Sequence, residues 1–543
     1  MKAPAKCTTN AAKSMLSDRR SFLKRLGFCT IGVEFVGLLP ECPAGVLKGH
    51  TRLPRSSPEA EGVSSDAIID FLDAVGKSKH EFHSFMMLRH GQVIAEGWWA
   101  PYRAELPHML YSLSKSFTST AVGFAVSEGK ITVNERVTSF FPDELPEKLN
   151  DNLTALRIKD LLTMSVGHAE DSTPKLWGEN DWVKKFLSLP IANSPGTAFL
   201  YNSGATYMLS AIVQKVTGQK IIDYLTPRLF VPLGIEGATW ETCPRGINTG
   251  GWGLKLRTEA LAKFGQLYLQ KGLWNGHQIL PSEWIEEATT FKIQQPGGSD
   301  LEKLKRQSDW HQGYCYQFWR CRHNAFRGDG AFGQFTIVMP EQDAVIAITS
   351  ESPSMQGELD LIWEHLLPAM KEGCLMVDKD SQKRLSRQLA SLALPPAQGK
   401  LFSPTTAKVS GKLFKLQTNE KCAEEVSFHF HNHGCVFALK DNKGEYTVKC
   451  GLGKWLEGQT GMPGTPPKLT SGDLGPISKV AASGTWTDES TFEMTWRFIE
   501  TPHHDSVTCH FDDKKVQIQF RNSLTKLMPS HKENWPVLCG EMG

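Results

Sequence analysis

Two pairs of apolar, strand-like runs stand far apart in this chain. SFMMLRHGQVIAEGWW occupies 84–99 and turns at His90-Gly91; QFTIVMPEQDAVIAITS occupies 334–350 and turns near Pro340. A hairpin signal at each end of a long segment predicts strands that pair across everything between them. The intervening sequence is helical in period at 116–128, at 203–216 with a stop at Gly218, and at 258–270 with a stop at Gly272. After the second hairpin, GELDLIWEHLLPAM (357–370) reads as an amphipathic helix able to return over the sheet. Strands at both ends with helices inserted between them predict an α+β sandwich rather than a regular βαβ repeat.

Residues 375–394 read as a charged helical connector, closed by Pro395-Pro396 and Gln398-Gly399. Beyond 400 the pattern changes to short β-type runs such as VSFHFHNHGCVFALK, STFEMTWRFIE and KKVQIQF, divided by Gly, Asn, Asp and Pro. That spacing predicts a separate all-β domain, barrel or sandwich. The expected organisation is a leader at 1–48, a first folded domain at 49–374, a connector at 375–399 and the β domain at 400–543.

A chain of 543 residues, 40% hydrophobic and 22% charged, is a globular protein of more than one domain. Residues 1–48 hold eight Lys/Arg against three Asp/Glu, or +5, and the whole chain is +2, so the remainder is −3. A mildly acidic body offers no basic face, and nucleic acid is not an expected partner. In SDRRSFLKR (17–25), Arg19 and Arg20 precede a moderately apolar stretch at 26–39 and the small residues Ala44 and Gly45. This order predicts a bacterial export signal of the twin-arginine kind, and hence a periplasmic or extracellular protein. No run is long and apolar enough to span a membrane. Cys42 lacks the small residues before it that a lipid-anchor site wants. Removing Cys7, Cys29 and Cys42 leaves nine cysteines, an odd number with no CxxC pair, which is no disulfide framework.

The most informative stretch is HMLYSLSKSFTSTAVGFAVSEGK (108–130). Ser112 and Lys115 form an S-x-x-K pair at a helix start, one turn apart and therefore on one face. The flanking Tyr111, Leu113, Phe117, Val122 and Phe124 predict a largely buried helix, in which a lysine needs a partner. A desolvated lysine can lose its proton and activate a neighbouring hydroxyl.

YSLSKSFTSTAVGFAVSEGKITVNERV, with IKDLLTMSVGH (158–168), SPGTAFLYNSGATYMLSAIVQKVTG (194–218), GGWGLKLRTEALAKFGQLYL (250–269) and GDGAFGQFTIVMPEQDAVIAITS (328–350), resembles the serine β-lactamase-like family. That family includes penicillin-recognising enzymes, related esterases and 6-aminohexanoate-oligomer hydrolases. The resemblance runs in chain order over 55–370 and implies an antiparallel sheet flanked by helices, with a helical insertion. It implies Ser112 as nucleophile and Lys115 as its base. The family's Tyr-x-Asn motif falls on Tyr201-Asn202-Ser203, which implies Tyr201 as general acid/base and puts Ser203 where the family carries Asn. The third motif falls on Gly328-Asp329-Gly330-Ala331, with neither Lys nor His at its first position. It implies an oxyanion hole from the N–H groups of Ser112 and Ala331. Without that cation a substrate carboxylate loses its partner, unless Arg327 or Arg322 substitutes.

Trp252 and Trp319, the latter within the aromatic run YCYQFWRCRH (314–323), are candidate pocket walls, together with Ser203, Gly328 and Gly330. His429, His431 and His433 alternate in HFHNH and read as a solvent-facing strand rather than a metal site; His503-His504-Asp505 reads as a turn. Neither a metal nor another cofactor is expected. The expected function is an exported serine hydrolase cleaving a small ester or amide through an acyl-enzyme. A β-lactamase or D-amino-acid peptidase, and an inert binding or sensor protein on the same fold, are the alternatives.

Overall fold

The computed structural model describes residues 52–466, 477–528, 532–533 and 535–543. The predicted export segment lies outside the described residues. A six-stranded antiparallel sheet carries the first part of the chain: β1 (Glu81–Arg89), β2 (Gln92–Trp98), β3 (Trp319–Arg320), β4 (Phe326–Gly330), β5 (Gln334–Met339) and β6 (Ala344–Glu351), in the order β2-β1-β6-β5-β4-β3. The two hairpins predicted from sequence meet at β1 and β6, in a register that sets Phe85 against Ile348 and Leu88 against Val345.

The sheet is buried on both faces, which is why its strands read as continuous apolar runs. Met86 and Leu88 of β1, Val338 of β5 and Val345 and Ala347 of β6 face the core shared with the inserted helices. Phe85, Met87, Phe335, Ile337, Ile346 and Ile348 face the other way, against α1 (Ser65–Lys77) and the segment after β6. That segment is not one helix. It runs as an α-helix over Met355–Leu361, a π turn over Ile362–Leu366 and a 3₁₀ turn over Leu367–Ala369, where Pro368 lacks the N–H a longer α-helix would need.

The insertion supplies α2 (Ser114–Ser127), α3 (Ser203–Thr217) and α4 (Thr258–Leu269). Gly218 ends α3 at φ +71°, the left-handed conformation glycine adopts without a Cβ penalty. Every α2 residue from Ser114 to Ala125 is buried despite its hydroxyls. Burial is tolerated because most of those hydroxyls have partners: Ser114 Oγ donates to the Tyr111 carbonyl (2.6 Å), Ser116 Oγ to that of Gln317 (2.9 Å) and Thr118 Oγ1 to that of Gly250 (2.8 Å), while Ser119 Oγ has none.

The C-terminal β domain is a closed barrel. Its strands are β7 (Leu413–Leu416), β8 (Ala423–His431), β9 (Gly434–Asp441), β10 (Glu445–Leu452), β11 (Leu456–Thr460), β12 (Ser478–Trp486), β13 (Thr491–Arg497), β14 (His504–Asp512), β15 (Lys515–Asn522) and β16 (Leu538–Met542). Nine of them form the ring, in the order β10-β9-β8-β7-β16-β15-β14-β13-β12. It closes where β12 pairs in parallel with β10 at Cys450↔Ala482 and Leu452↔Gly484, while β11 lies along β12 outside the ring. Strict alternation on β15, with Val516, Ile518 and Phe520 inward, fills the barrel alongside Phe428, Phe437, Trp486 and Trp496. The nine described cysteines are all free thiols.

The connector helix Lys379–Ala390 packs against α1, and Leu389 and Leu392 press on Gly97 of β2. The barrel joins the sheet through Arg497, buried and paired with both carboxylate oxygens of Glu81.

Strand β4 passes directly over the start of α2. A methyl at Gly330 would overlap the Leu110 carbonyl, and one at Gly328 would overlap Leu113 and Ser116. Gly330→Ala is therefore expected to destabilise the protein by about 1–3 kcal/mol or more, as overpacking against backbone does. Urea unfolding measures this, and an unchanged midpoint would mean that the strand can lift off the helix.

Candidate active site

Ser112 lies in a 3₁₀ turn, Tyr111–Leu113, that leads straight into α2. It is the one residue between His108 and Ala125 that is not buried. Tyr111 before it holds φ at +46°, an uncommon conformation for an aromatic residue. The turn thus presents one hydroxyl from an otherwise buried segment.

Lys115 follows one turn later with only 2% of its surface exposed. Its Nζ donates to Ser112 Oγ (3.0 Å), Ser203 Oγ (2.9 Å) and the Gly251 carbonyl (2.8 Å). Three donors therefore meet three acceptors. Burial depresses its pKa to about 7, with Asp171 and Asp329 pulling in the opposite direction. The amine can thus be neutral near physiological pH.

Tyr201 and Ser203 come from the start of α3. Asn202 between them caps the helix: its side-chain oxygen accepts from Gly204 N (3.1 Å) and from Ser172 Oγ (2.7 Å), and its amide nitrogen lies 3.0 Å from His168 Nδ1. The capped end turns Tyr201 over the amine, with Lys115 Nζ 4.9 Å from the ring centroid. Desolvation raises the Tyr201 pKa and Asp329 adds to this, while a hydrogen bond with the Ser112 side chain acts the other way. The phenol is therefore held protonated. Trp319 stacks on it at 5.6 Å between centroids.

The other sequence candidates sort by their surroundings. Ala331 is half-buried at the end of β4, and its carbonyl accepts from Gln334 Nε2 (3.1 Å). Gly328 and Gly330 leave no room for a Cβ, and their bare backbone lets the strand touch α2. Trp252 is a core residue packed against Trp182 at 5.9 Å. Neither arginine is free for a substrate carboxylate. Arg327 is fully buried on Asp329 (2.9 Å) and over the Trp310 ring, and Arg322 is held by Asp309 and Asp360.

Sequence reasoning missed Asp171, whose carboxylate accepts from Ser203 N (3.2 Å) and from Thr173. It also missed the Gly251 carbonyl. The only signal for the latter was the Gly250-Gly251 pair, needed because side chains there would press on Ser210 and on the Ser203 backbone.

His429, His431 and His433 are all exposed, and His433 lies in the β8–β9 turn rather than on a strand. His504 and Asp505 begin β14, while His503 is buried. Among the described residues one set could share an ion, Glu81, Glu351 and His504, with ligand atoms within 4.8 Å of one another. Arg497 already takes both oxygens of Glu81, while His503 and His504 take those of Glu351, so the set is an ion-pair network.

A family model described as Beta-lactamase matches residues 82–368. The 6-aminohexanoate-dimer hydrolase of Paenarthrobacter ureafaciens is 26% identical over 293 residues, 50% of this chain and 72% of that protein. The beta-lactamase of Escherichia coli K12 is 24% identical over 210 residues, 34% of this chain and 55% of that protein. Among solved structures, the octameric penicillin-binding protein homologue from Pyrococcus abyssi aligns with a TM-score of 0.44 at 15% identity, covering 87% of this chain and 99% of that one. The matched span contains both hairpins, the inserted helices and the Ser112–Lys115 turn, and the chain belongs to the beta-lactamase family of serine hydrolases.

Proposed function

We propose that the protein is an exported hydrolase that cleaves a small, weakly charged or neutral ester or amide through an acyl-enzyme on Ser112. The observation that carries this reading is the 3.0 Å contact from a buried Lys115 amine to the Ser112 hydroxyl. Neutral Lys115 takes the hydroxyl proton as Ser112 Oγ adds to the substrate carbonyl. The N–H groups of Ser112 and Ala331 receive the developing oxyanion; the packing of Gly330 against Leu110 brings β4 and the nucleophile turn together. Tyr201, held protonated, gives its proton to the departing oxygen or nitrogen and is reprotonated from the Lys115 ammonium. Water then adds to the acyl-enzyme along the reverse path, releasing the acid and restoring Ser112.

Substrate charge follows from the cations. Position 328 is Gly, and both nearby arginines are engaged by carboxylates. An anionic acyl partner of the kind a β-lactam or a peptide terminus presents therefore has no counter-charge on this strand. The relative named for 6-aminohexanoate-dimer hydrolysis supports an amide or ester as the bond broken.

Turnover of p-nitrophenyl esters, nitrocefin and a D-alanyl amide tests the assignment. The esters are expected to be cleaved fastest, and Ser112→Ala is expected to lose at least about 10³-fold in kcat. Undiminished turnover by Ser112→Ala would refute it.

The pH dependence carries a sign. Protonated Lys115 cannot accept the serine proton, so kcat/KM is expected to rise with pH through an inflection near 7 and then level off. Asp171→Asn removes a charge that favours the ammonium, so it is expected to move that inflection to lower pH; movement to higher pH would contradict this role for Lys115.

Export through the Arg19-Arg20 segment predicts that the double substitution Arg19→Lys, Arg20→Lys leaves the protein in the cytoplasmic fraction of a bacterial host. Equal periplasmic recovery would rule the signal out.

A further inference from the structure

The barrel meets the catalytic unit at His503, a fully buried residue just before β14. Its Nε2 lies 2.6 Å from the Tyr111 hydroxyl. Its ring packs edge-on against Phe332 at 5.0 Å and against Tyr111 at 5.7 Å, and those two rings are 5.6 Å apart. Tyr111 immediately precedes Ser112, and Phe332 immediately follows Ala331. One imidazole from the second domain therefore touches the neighbour of each proposed oxyanion donor.

Both neighbours are bulky residues in the left-handed region, Tyr111 at φ +46° and Phe332 at φ +69°. Each such conformation costs on the order of 1–3 kcal/mol and persists only where the surroundings impose it. The imposing contacts are visible. His503 Nδ1 lies 2.6 Å from Glu351 at the end of β6, and Glu351 also accepts from His504 (3.0 Å) and from Ser523. Burial opposes ionisation of Glu351, but the two imidazoles outweigh it and hold its pKa at about 2. An ionised carboxylate can only accept, so His503 Nδ1 carries a proton toward Glu351, while Nε2 makes the second contact, to the Tyr111 hydroxyl. The anchored chain runs Glu351, His503, Tyr111. Leu524 of the barrel closes the same side by packing with Met109, Tyr111 and Phe332.

We propose that His503, supplied by the C-terminal barrel, is a positioning residue that holds the nucleophile turn and the Ala331–Phe332 turn at the spacing an oxyanion hole requires. This rests on the assignment of the Ser112 and Ala331 amides as the oxyanion donors. The barrel is then a working part of the hydrolase site rather than an appended module.

The test uses the full chain and the variants Tyr111→Phe, His503→Gln and His503→Ala. It reads the rate of labelling by a fluorophosphonate, kcat and KM on p-nitrophenyl butyrate, and Tm. Tyr111→Phe deletes one oxygen and keeps the ring, so it should fold. It is expected to lose about 10- to 100-fold in kcat and in labelling rate, with KM within about twofold of wild type. His503→Gln, which retains an amide able to bond both partners, is expected to recover part of the activity that His503→Ala loses. Folded Tyr111→Phe and His503→Gln proteins that react at the wild-type rate would overturn the proposal. So would a lowered Tm in which the folded fraction labels normally, since that is stability alone. A wild type that neither labels at Ser112 nor hydrolyses the ester removes the hydrolase reading and this inference with it; a labelled wild type with unaffected variants removes the inference alone.

Discussion

An amine buried almost completely has to be compensated by acceptors, and much of the first domain is arranged around supplying three of them to Lys115. Each acceptor comes from a different element: Ser112 from the turn before α2, Ser203 from the start of α3 and Gly251 from the loop before α4. The convergence explains otherwise costly features. Gly250 and Gly251 let backbone run between α2 and α3, the Asn202 cap fixes the end of α3, and the hydroxyls of Ser114 and Thr118 tie α2 to Leu254 and Gly250. Displacing any of these would leave a buried amine short of a partner, so the geometry proposed to activate the serine is also the geometry that the fold must keep.

The charges around the amine are balanced rather than uniformly attractive. Asp171 and Asp329 favour the ammonium, but Asp329 is largely committed to Arg327, itself sealed between Trp310 and Trp319. A free carboxylate at that distance would hold Lys115 protonated and silence it; a free guanidinium would draw in anionic ligands. Pairing the two weakens both effects. It also leaves the Tyr201 phenol among acidic and apolar neighbours, where its neutral form is favoured. One side chain is biased toward losing a proton and its neighbour toward keeping one, a separation that suits the proposed relay.

What the sequence made legible was local. Hairpins appeared as apolar runs because the sheet is covered on both faces, and helix ends appeared where Gly218 and Gly272 adopt positive φ. The Ser112–Lys115 pair was visible because three residues span one turn. The remainder depends on contacts across long separations that leave no periodic trace. Nothing in GDGA announces that Arg327 folds back on Asp329 two residues later, and nothing in HHD distinguishes an exposed turn from an imidazole buried against Tyr111. Alternation on the C-terminal strands is the same for a sandwich and a barrel; closure is decided by the parallel contact of Cys450–Leu452 with Ala482–Gly484. The segment at 357–370 has the amphipathic pattern of a helix, but its geometry tightens and widens by turns around Pro368.

The role proposed for the barrel is one of restraint. The oxyanion hole proposed from the Ser112 and Ala331 amides requires that neither amide relaxes, and each is adjacent to a bulky residue held at positive φ. A single domain could hold such turns by packing alone, yet α2 is already committed to enclosing Lys115, and β4 has given up its side chains at Gly328 and Gly330 to approach it. Additional restraint comes from the barrel, where His503 and Leu524 contact Tyr111 and Phe332. Glu351 lies at the end of β6, the strand that pairs with both β1 and β5, so the restraint is anchored in a strand buried along its whole length. In the proposed arrangement the restraint on both turns comes from the interface between domains, so the local cost of their positive φ is offset by burial away from Ser112.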